Sequence, residues 1–398
     1  MTAAPTLTFV NASTSQTRVP TSLRVVDGRI ASIGVTPQPG DRVVDLAGDR
    51  LLPGLINAHD HLQLNSFPPL DVAPRFRNVR GWIAVVSERA RTDAAFRAMV
   101  EAPRERRLLH GGLKNLLSGV TTVAHHDPLY PVLTGDAFPV RVVGRYGWSH
   151  SLGIDGDAQV HRAFEHTSTD VPWIVHAAEG VDDEAAAEFA RLDALGCIAA
   201  NTLIVHGVAL GEAERTRLAD AGGGLVWCPG SNLALFGRTA AVADLVARGR
   251  VALGTDSRLS GSRDLLQELR TARVVAGCDD ATLAALVTSC AATLLRVADR
   301  GTLSPGQLAD FVVLPKSLEL WQAERRDVRM VVVDGQVRYG DADCAIGLAG
   351  PSSSQDWAHL TVDGRPKVID GTLAERLWRA NVVEPGLEWL DTARWRAA

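Results

Sequence analysis

Leu51-Leu52-Pro53-Gly54-Leu55-Ile56-Asn57-Ala58-His59-Asp60-His61-Leu62-Gln63-Leu64-Asn65 is the stretch from which the fold is read. An apolar run up to Ile56 leads directly into His59-Asp60-His61. Side chains of a β-strand alternate between its two faces. His59 and His61 therefore share one side, and Asp60 takes the other. Two imidazoles side by side at the C-terminal end of a buried strand make half of a metal site. A bare His-x-His fits a polar strand end entering a loop just as well. The reading turns on whether later strand ends supply the other half.

Outward from this stretch, short apolar runs alternate with amphipathic segments, the βαβ signature of a parallel sheet or barrel. The runs are 51–58, 121–124, 140–148, 173–176, 203–206, 224–228 and 251–255, with helices expected at 182–195, 212–221, 239–248, 262–276 and 280–298. A closed (β/α)8 barrel needs eight strands, one more than these runs provide. One unit is therefore expected to be degenerate, with the gap between Trp148 and Trp173.

Both chain ends read differently. Residues 6–10, 22–26, 29–33 and 42–45 are β-rich, with Asp27-Gly28 as a hairpin turn. Residues 311–314, 329–333 and 336–338 return to that character around Asp334-Gly335. Residues 1–52 and 302–349 are expected to form one composite β-sandwich domain beside a barrel at 53–301. The tail, 350–398, opens on Gly350-Pro351-Ser352-Ser353-Ser354, a linker composition. It then carries Trp357, Trp378, Trp389 and Trp395, too many aromatics for a disordered segment. A C-terminal helical extension packed on the body or on another subunit, in a homo-oligomer, is expected.

The 398 residues suffice for one large domain and a smaller one. A net charge of −5 without a basic stripe argues against nucleic acid as a partner. The five cysteines show no CxxC and no close pairing, which fits a reducing compartment rather than a disulfide framework. The N-terminus lacks a charged segment followed by an apolar one, and no apolar run reaches membrane-spanning length. A soluble cytoplasmic protein with no membrane partner is expected.

Three later strand ends carry ionisable residues. His176 closes 173–176 and is followed by Ala177-Ala178-Glu179; His206 closes 203–206; Asp256-Ser257 follows 251–255. Active sites of parallel barrels lie at these C-terminal ends. A hydrogen-bonded core histidine explains any single case, but not the same arrangement at four strand ends. His59, His61, His176 and Asp256 give three imidazoles and a carboxylate, a set suited to one Zn²⁺, or Fe²⁺, with a position open for water. Glu179 is placed as a proton shuttle rather than a ligand. His206 is placed to lean over the attacking oxygen or a polarised carbonyl.

The chain resembles the amidohydrolase superfamily, in its cytosine deaminase, guanine deaminase and triazine hydrolase branch. The motifs that carry the resemblance are Pro53-Gly54-Leu55-Ile56-Asn57-Ala58-His59-Asp60-His61, Gly119-Val120-Thr121-Thr122-Val123, His176-Ala177-Ala178-Glu179, Val205-His206, Cys228-Pro229-Gly230-Ser231-Asn232 and Gly254-Thr255-Asp256-Ser257. Gly301-Thr302-Leu303-Ser304-Pro305-Gly306-Gln307-Leu308-Ala309-Asp310-Phe311 completes the pattern, which spans roughly residues 5–345. The resemblance implies an α/β fold, a distorted TIM (β/α)8-type barrel with a composite β-sandwich formed by both chain ends. It implies a mononuclear metal-dependent hydrolase acting on a non-peptide C–N bond of a small molecule, foremost a deaminase of an amino-substituted heterocycle. It assigns His59, His61, His176 and Asp256 as ligands, Asp256 also as proton acceptor, Glu179 as proton donor and His206 as stabiliser of the attacking oxygen.

Two departures stand out. The segment between the first and third histidine ligands is shorter than such deaminases carry, and the tail lies outside the pattern. Two-metal relatives bridge their ions with a carboxylated lysine, and no lysine lies between Asp127 and Asp256. That disfavours a binuclear centre. Candidates for substrate contact are Gln63, one of His125 and His126, Trp148 and His150, with Asn65 and Arg145 beside them. The alternatives are hydrolysis of an amide, C–halogen or C–S bond at the same centre, and a non-catalytic metal-binding scaffold.

Overall fold

The computed structural model describes residues 6–14, 20–70, 75–135, 137–345 and 356–390. The Gly350–Ser354 linker and Trp395 lie outside the described residues. Two sheets stack into the composite domain. Arg29–Ile33, Thr21–Val26, Leu7–Ala12 and Arg42–Asp45 make the first, in that order. Phe9, Leu23, Val25 and Ile30 from it meet Phe311, Val313, Met330 and Val332 from the second in one apolar core. Both expected hairpins form, with positive φ at Asp27 and Gly28 and at Asp334 and Gly335. The two turns abut: a Cβ on Gly335 would stand 2.8 Å from the Gly28 Cα, so the glycines serve close approach as well as turn geometry.

The second sheet has seven antiparallel strands, ordered Leu387–Trp389, Trp357–Val362, Arg365–Asp370, Gln336–Gly340, Met330–Val333, Phe311–Leu314 and Arg50–Pro53. Its first three strands come from the tail. The expected helical extension is thus mostly strand, with one helix, Gly371–Arg379. The physical cause is another two-residue turn, Asp363-Gly364 at positive φ, between runs whose Leu360, Val362, Val368 and Ile369 are buried in the sheet.

From Arg50–Pro53 the chain passes through Gly54 straight into the second unit. Eight segments there form two parallel sheets. Leu55–Asp60, Val120–His125 and Arg141–Val142 make one; Gly147–Ser149, Trp173–Ala177, Thr202–His206, Gly224–Trp227 and Val251–Leu253 make the other. A parallel bridge between Asp60 and Asp256 joins the outer edges. Ile56, Ala58, Ile174, Leu203, Val205, Val226 and Ala252 fill the interior, and the surrounding helices pack outside. The eighth strand is not missing between Trp148 and Trp173, where only helices Leu152–Asp155 and Asp157–Glu165 lie. The run at 140–148 instead divides into two short strands with no helix between them, and among the described residues no ladder joins these two. No helix among the described residues is long and apolar enough to cross a membrane.

The tail closes on the body through one buried carboxylate. Glu384 accepts hydrogen bonds from His110 Nε2 at 2.6 Å, from Arg258 Nη1 and Nη2 at 3.0 and 2.9 Å, and from Arg325 Nη1. Arg325 also pairs with Asp363, 2.7 Å away, which binds Arg263. Burial alone would raise the Glu384 pKa; the His110 hydrogen bond and the Arg258 charge outweigh it and hold the carboxyl at about 2, below its ordinary 4.5. A depressed native pKa stabilises the fold above the unfolded value and loses that contribution as pH falls toward the native one. The shift corresponds to about 3 kcal/mol, lost between roughly pH 5 and 2. Glu384→Gln is therefore expected to lower Tm at pH 7 and to flatten the decline of Tm from pH 5 to pH 3. Parallel declines in variant and wild type would refute the assignment.

Candidate metal centre

The centre forms where four strands of the parallel unit end. The ladder of Leu55–Asp60 slips between Asn57 and Asp60. Asn57 and Asp60 thereby come to one side, joined by a 3.0 Å hydrogen bond, while His59 and His61 enter the interior. Asp60 faces away from the centre and anchors neighbouring side chains. Its Oδ2 takes Lys114 Nζ at 2.9 Å and Asn115 Nδ2 at 2.8 Å, and its Oδ1 takes Asn65 Nδ2 at 2.6 Å. Lys114, fully buried, also donates to Thr255 Oγ1 at 3.0 Å, tying the first strand end to the last. Asn65 is consumed in this network. Gly254 allows the last strand to approach, because a Cβ there would lie 2.7 Å from His59 Cβ.

Four donor atoms converge. His176 Nε2 is 3.3 Å from His59 Nε2 and 3.4 Å from His61 Nε2. Asp256 Oδ1 is 3.6 Å from His59 Nε2 and 3.7 Å from His61 Nε2. A tetrahedral ion with bonds of about 2.0–2.2 Å requires donor separations of roughly 3.3–3.6 Å, so the donor set fits a single ion. Burial drives the His59 pKa down to about 4, which keeps the imidazole neutral, the form that ligates. His206 and Asp256, with His59 and His176, also make a compact group, as do His59, His61, His126 and His176.

Each strand-end side chain is held from behind. His61 Nδ1 meets Asp127 Oδ2 at 3.2 Å, and Gln63 Nε2 donates to the same oxygen. His176 Nδ1 donates to the His150 carbonyl at 2.8 Å, and His206 Nδ1 to Asn232 Oδ1 at 2.8 Å. Asp256 Oδ2 accepts from the Ser231 and Ser260 hydroxyls at 2.6 and 2.5 Å, which turns Oδ1 toward the histidines. His206, Asp256 and Ala178, the residue before Glu179, all sit at positive φ, a conformation rare for residues with a Cβ. The Ala178 amide donates to Glu188 Oε2 at 2.8 Å, which fixes the turn that carries Glu179.

Glu179 is buried, with Oε1 3.6 Å from His206 Nε2. Burial and the Asp256 charge push its pKa well up. It lines a cavity of about 480 Å³ together with Asn78, Ile83, Ser151, Ile154, Glu184 and Glu188. The chain beyond Gln63 roofs this region, with Val79 N bonded to the Glu179 carbonyl at 3.1 Å, Val181 N to Arg77 O at 2.6 Å and Phe76 N to Leu235 O at 2.9 Å. A larger hollow, about 970 Å³, lies far from the centre between the composite domain and helix Asp280–Leu286.

None of the residues expected to contact substrate lines the 480 Å³ cavity. Gln63 braces Asp127. His125 is buried with Nδ1 3.4 Å from the Asp60 carbonyl. His126 is also buried, between His59, 3.3 Å away, and the Ser149 carbonyl, 2.9 Å away. Trp148 and His150 pack edge to face, ring centres 4.8 Å apart, with Trp148 also against His126. Arg145 pairs at the surface with Asp170. Ser231, Ser260, Asp127 and Glu188 were not singled out from sequence. Ser231 lies inside a quoted motif and Asp127 directly follows His126, whereas Ser260 and Glu188 carry no local signal.

Residues 148–338 match the amidohydrolase family model. The chain is 28% identical over 379 residues to the 5-methylthioadenosine/S-adenosylhomocysteine deaminase of Halobacterium salinarum, covering 79% of this chain and 87% of that protein. It is 25% identical over 398 residues to the 5'-deoxyadenosine deaminase of Methanothermobacter thermautotrophicus, covering 82% and 90%. Its fold is shared with an adenosine deaminase from Xanthomonas campestris with bound zinc, at TM-score 0.67, 21% identity and coverage of 83% and 92%. It is shared too with atrazine chlorohydrolase from Arthrobacter aurescens TC1 complexed with zinc, at TM-score 0.70, 18% identity and coverage of 85% and 96%.

Proposed function

We propose, on the premise that the chain carries an amidohydrolase family domain, that it is a mononuclear metal-dependent deaminase of adenosine-type substrates. The observation that carries the reading is the spacing of the donor atoms of His59, His61, His176 and Asp256, with Glu179 and His206 beside them. The deaminase names of relatives aligned over most of their length favour an aminopurine nucleoside among the heterocycles. Three imidazoles and a carboxylate favour Zn²⁺, with Fe²⁺ as the alternative. The modest negative charge, without a basic stripe, supports a small molecule as the partner. The thiol-only cysteine set supports the cytoplasm. Homo-oligomerisation stays with this reading as a proposal.

A bound divalent ion lowers the pKa of a water toward neutrality and so supplies the nucleophile. The other steps fall to the chain. Asp256, its Oδ2 fixed by two serines, takes the proton released as the water attacks. His206 Nε2 keeps a free lone pair because Nδ1–H donates to Asn232, and it holds the attacking water by accepting a hydrogen bond. Glu179 gives a proton to the ring nitrogen beside the attacked carbon. A C–O bond forms at that carbon as the adjoining ring nitrogen is protonated; the proton on Asp256 then goes to the exocyclic nitrogen, the C–N bond breaks and ammonia leaves, while the new hydroxyl gives its proton back to the Glu179 carboxylate as the carbonyl forms. The cavity beside Glu179 falls within the ~300–1,000 Å³ of small-molecule sites.

The test is ammonia release by zinc-loaded protein across adenosine derivatives, other purines, pyrimidines and triazines, with lactams, N-acyl compounds and chlorotriazines as a counter-panel. Ammonia from the adenosine derivatives, with kcat/KM at least about tenfold above the rest, is expected, as binding energy from the nucleoside frame is spent in the transition state. Turnover confined to the counter-panel would overturn the deaminase reading.

A further inference from the structure

The hydrogen bonds behind His61, His176 and His206 end on atoms that only accept: a carboxylate and two amide oxygens. His59 is different. Its Nδ1 faces Nδ1 of another imidazole, His126, at 3.3 Å, and a ring nitrogen is a donor or an acceptor according to tautomer. His126 is fully buried in the second strand end and stacks on His176, ring centres 4.3 Å apart and 9° from parallel. Its Nε2 lies 2.9 Å from the backbone carbonyl of Ser149.

The carbonyl settles the chain of tautomers. Ser149 O accepts only, so the proton of neutral His126 sits on Nε2. His126 Nδ1 then holds a lone pair and accepts from His59 Nδ1–H. With the His59 proton on Nδ1, His59 Nε2 turns its lone pair toward His176 Nε2 and Asp256 Oδ1. Reversal of any link would put N–H on His59 Nε2, and the ring could not ligate. We infer that His126 is a positioning residue of the metal centre: through the relay Ser149 C=O, His126, His59 it fixes the tautomer and ring orientation of the first ligand. It does so rather than touching substrate, since both its nitrogens are engaged.

The inference rests on the metal-site reading, and the experiment separates the two. Zinc affinity of the full chain is measured by chelator competition at fixed pH for wild type, His126→Phe and His126→Asn, with circular dichroism of the zinc-free proteins as the folding control. Phe keeps a flat ring against His176 but cannot accept from His59. Asn is smaller, yet its Oδ1 stands where the Nδ1 lone pair stood. Expected is a 10–100-fold loss of affinity for Phe, the usual range for removing a partner behind a ligand, and retention within about threefold for Asn. Wild-type affinity in the Phe variant, or equal losses in both, would overturn the inference and make His126 a packing residue. Zinc binding absent from wild type would bring down the metal reading itself. If the Phe variant does not fold, long-range ¹H–¹⁵N spectra of histidine-labelled wild type decide, since His126 must carry its proton on Nε2 and His59 on Nδ1.

Discussion

Glu179→Gln is expected to keep its zinc and lose turnover by roughly 10²–10⁴-fold, the span of a lost general acid–base group. Glu179 belongs to neither group of convergent metal donors, so its removal leaves the ion's ligands intact. Its carboxyl stands beside His206 Nε2, and the residue lines the cavity. Glutamine has the same shape and donates a hydrogen bond, but it has no proton to transfer. The loss should therefore fall on kcat with KM nearly unchanged, the signature of an interaction made in the transition state alone. Zinc stoichiometry and steady-state kinetics on one preparation check both halves. Turnover within tenfold of wild type would remove Glu179 from the chemistry, and loss of zinc would make it a ligand.

How far the sequence revealed this centre depends on the range of each signal. Period-two alternation brings His59 and His61 together, and the contrast of apolar run with polar end marks His176, His206 and Asp256; both are local. The slip between Asn57 and Asp60 is not, because it answers to the helix that carries Lys114 and Asn115. Strict alternation would have set Asn57 beside His59. The run at 140–148 hid two strands because only a short link, with neither a helix nor an Asx-Gly turn, separates them. The tail carried Asp363-Gly364, the same turn signal as Asp27-Gly28 and Asp334-Gly335, beside tryptophans that by themselves argue only against disorder. Ser260, four residues past Asp256, and Glu188, ten past Ala178, act across a fold that no residue spacing encodes.

His176→Ala is expected to purify without stoichiometric zinc, whereas His206→Ala is expected to keep the ion and lose turnover. His176 is common to both groups of convergent donors, and its Nε2 stands within 3.4 Å of both His59 Nε2 and His61 Nε2. Its ring is also clamped between His126 and His206, centres 4.3 and 5.3 Å away, with Nδ1 bonded to the His150 carbonyl. That position is prepaid in packing, so alanine removes a fixed donor from the middle of the set and leaves a void that water alone would fill. His206 competes with His61 for the fourth place. His61 is favoured because its Nε2 lies 3.7 Å from Asp256 Oδ1 and 3.4 Å from His176 Nε2, whereas the His206 Nε2 stands beside Glu179. Metal analysis of the two variants, with circular dichroism to show that each is folded, separates the cases. Zinc retained by His176→Ala would refute the donor set, and zinc lost from His206→Ala would exchange His61 for His206 within it.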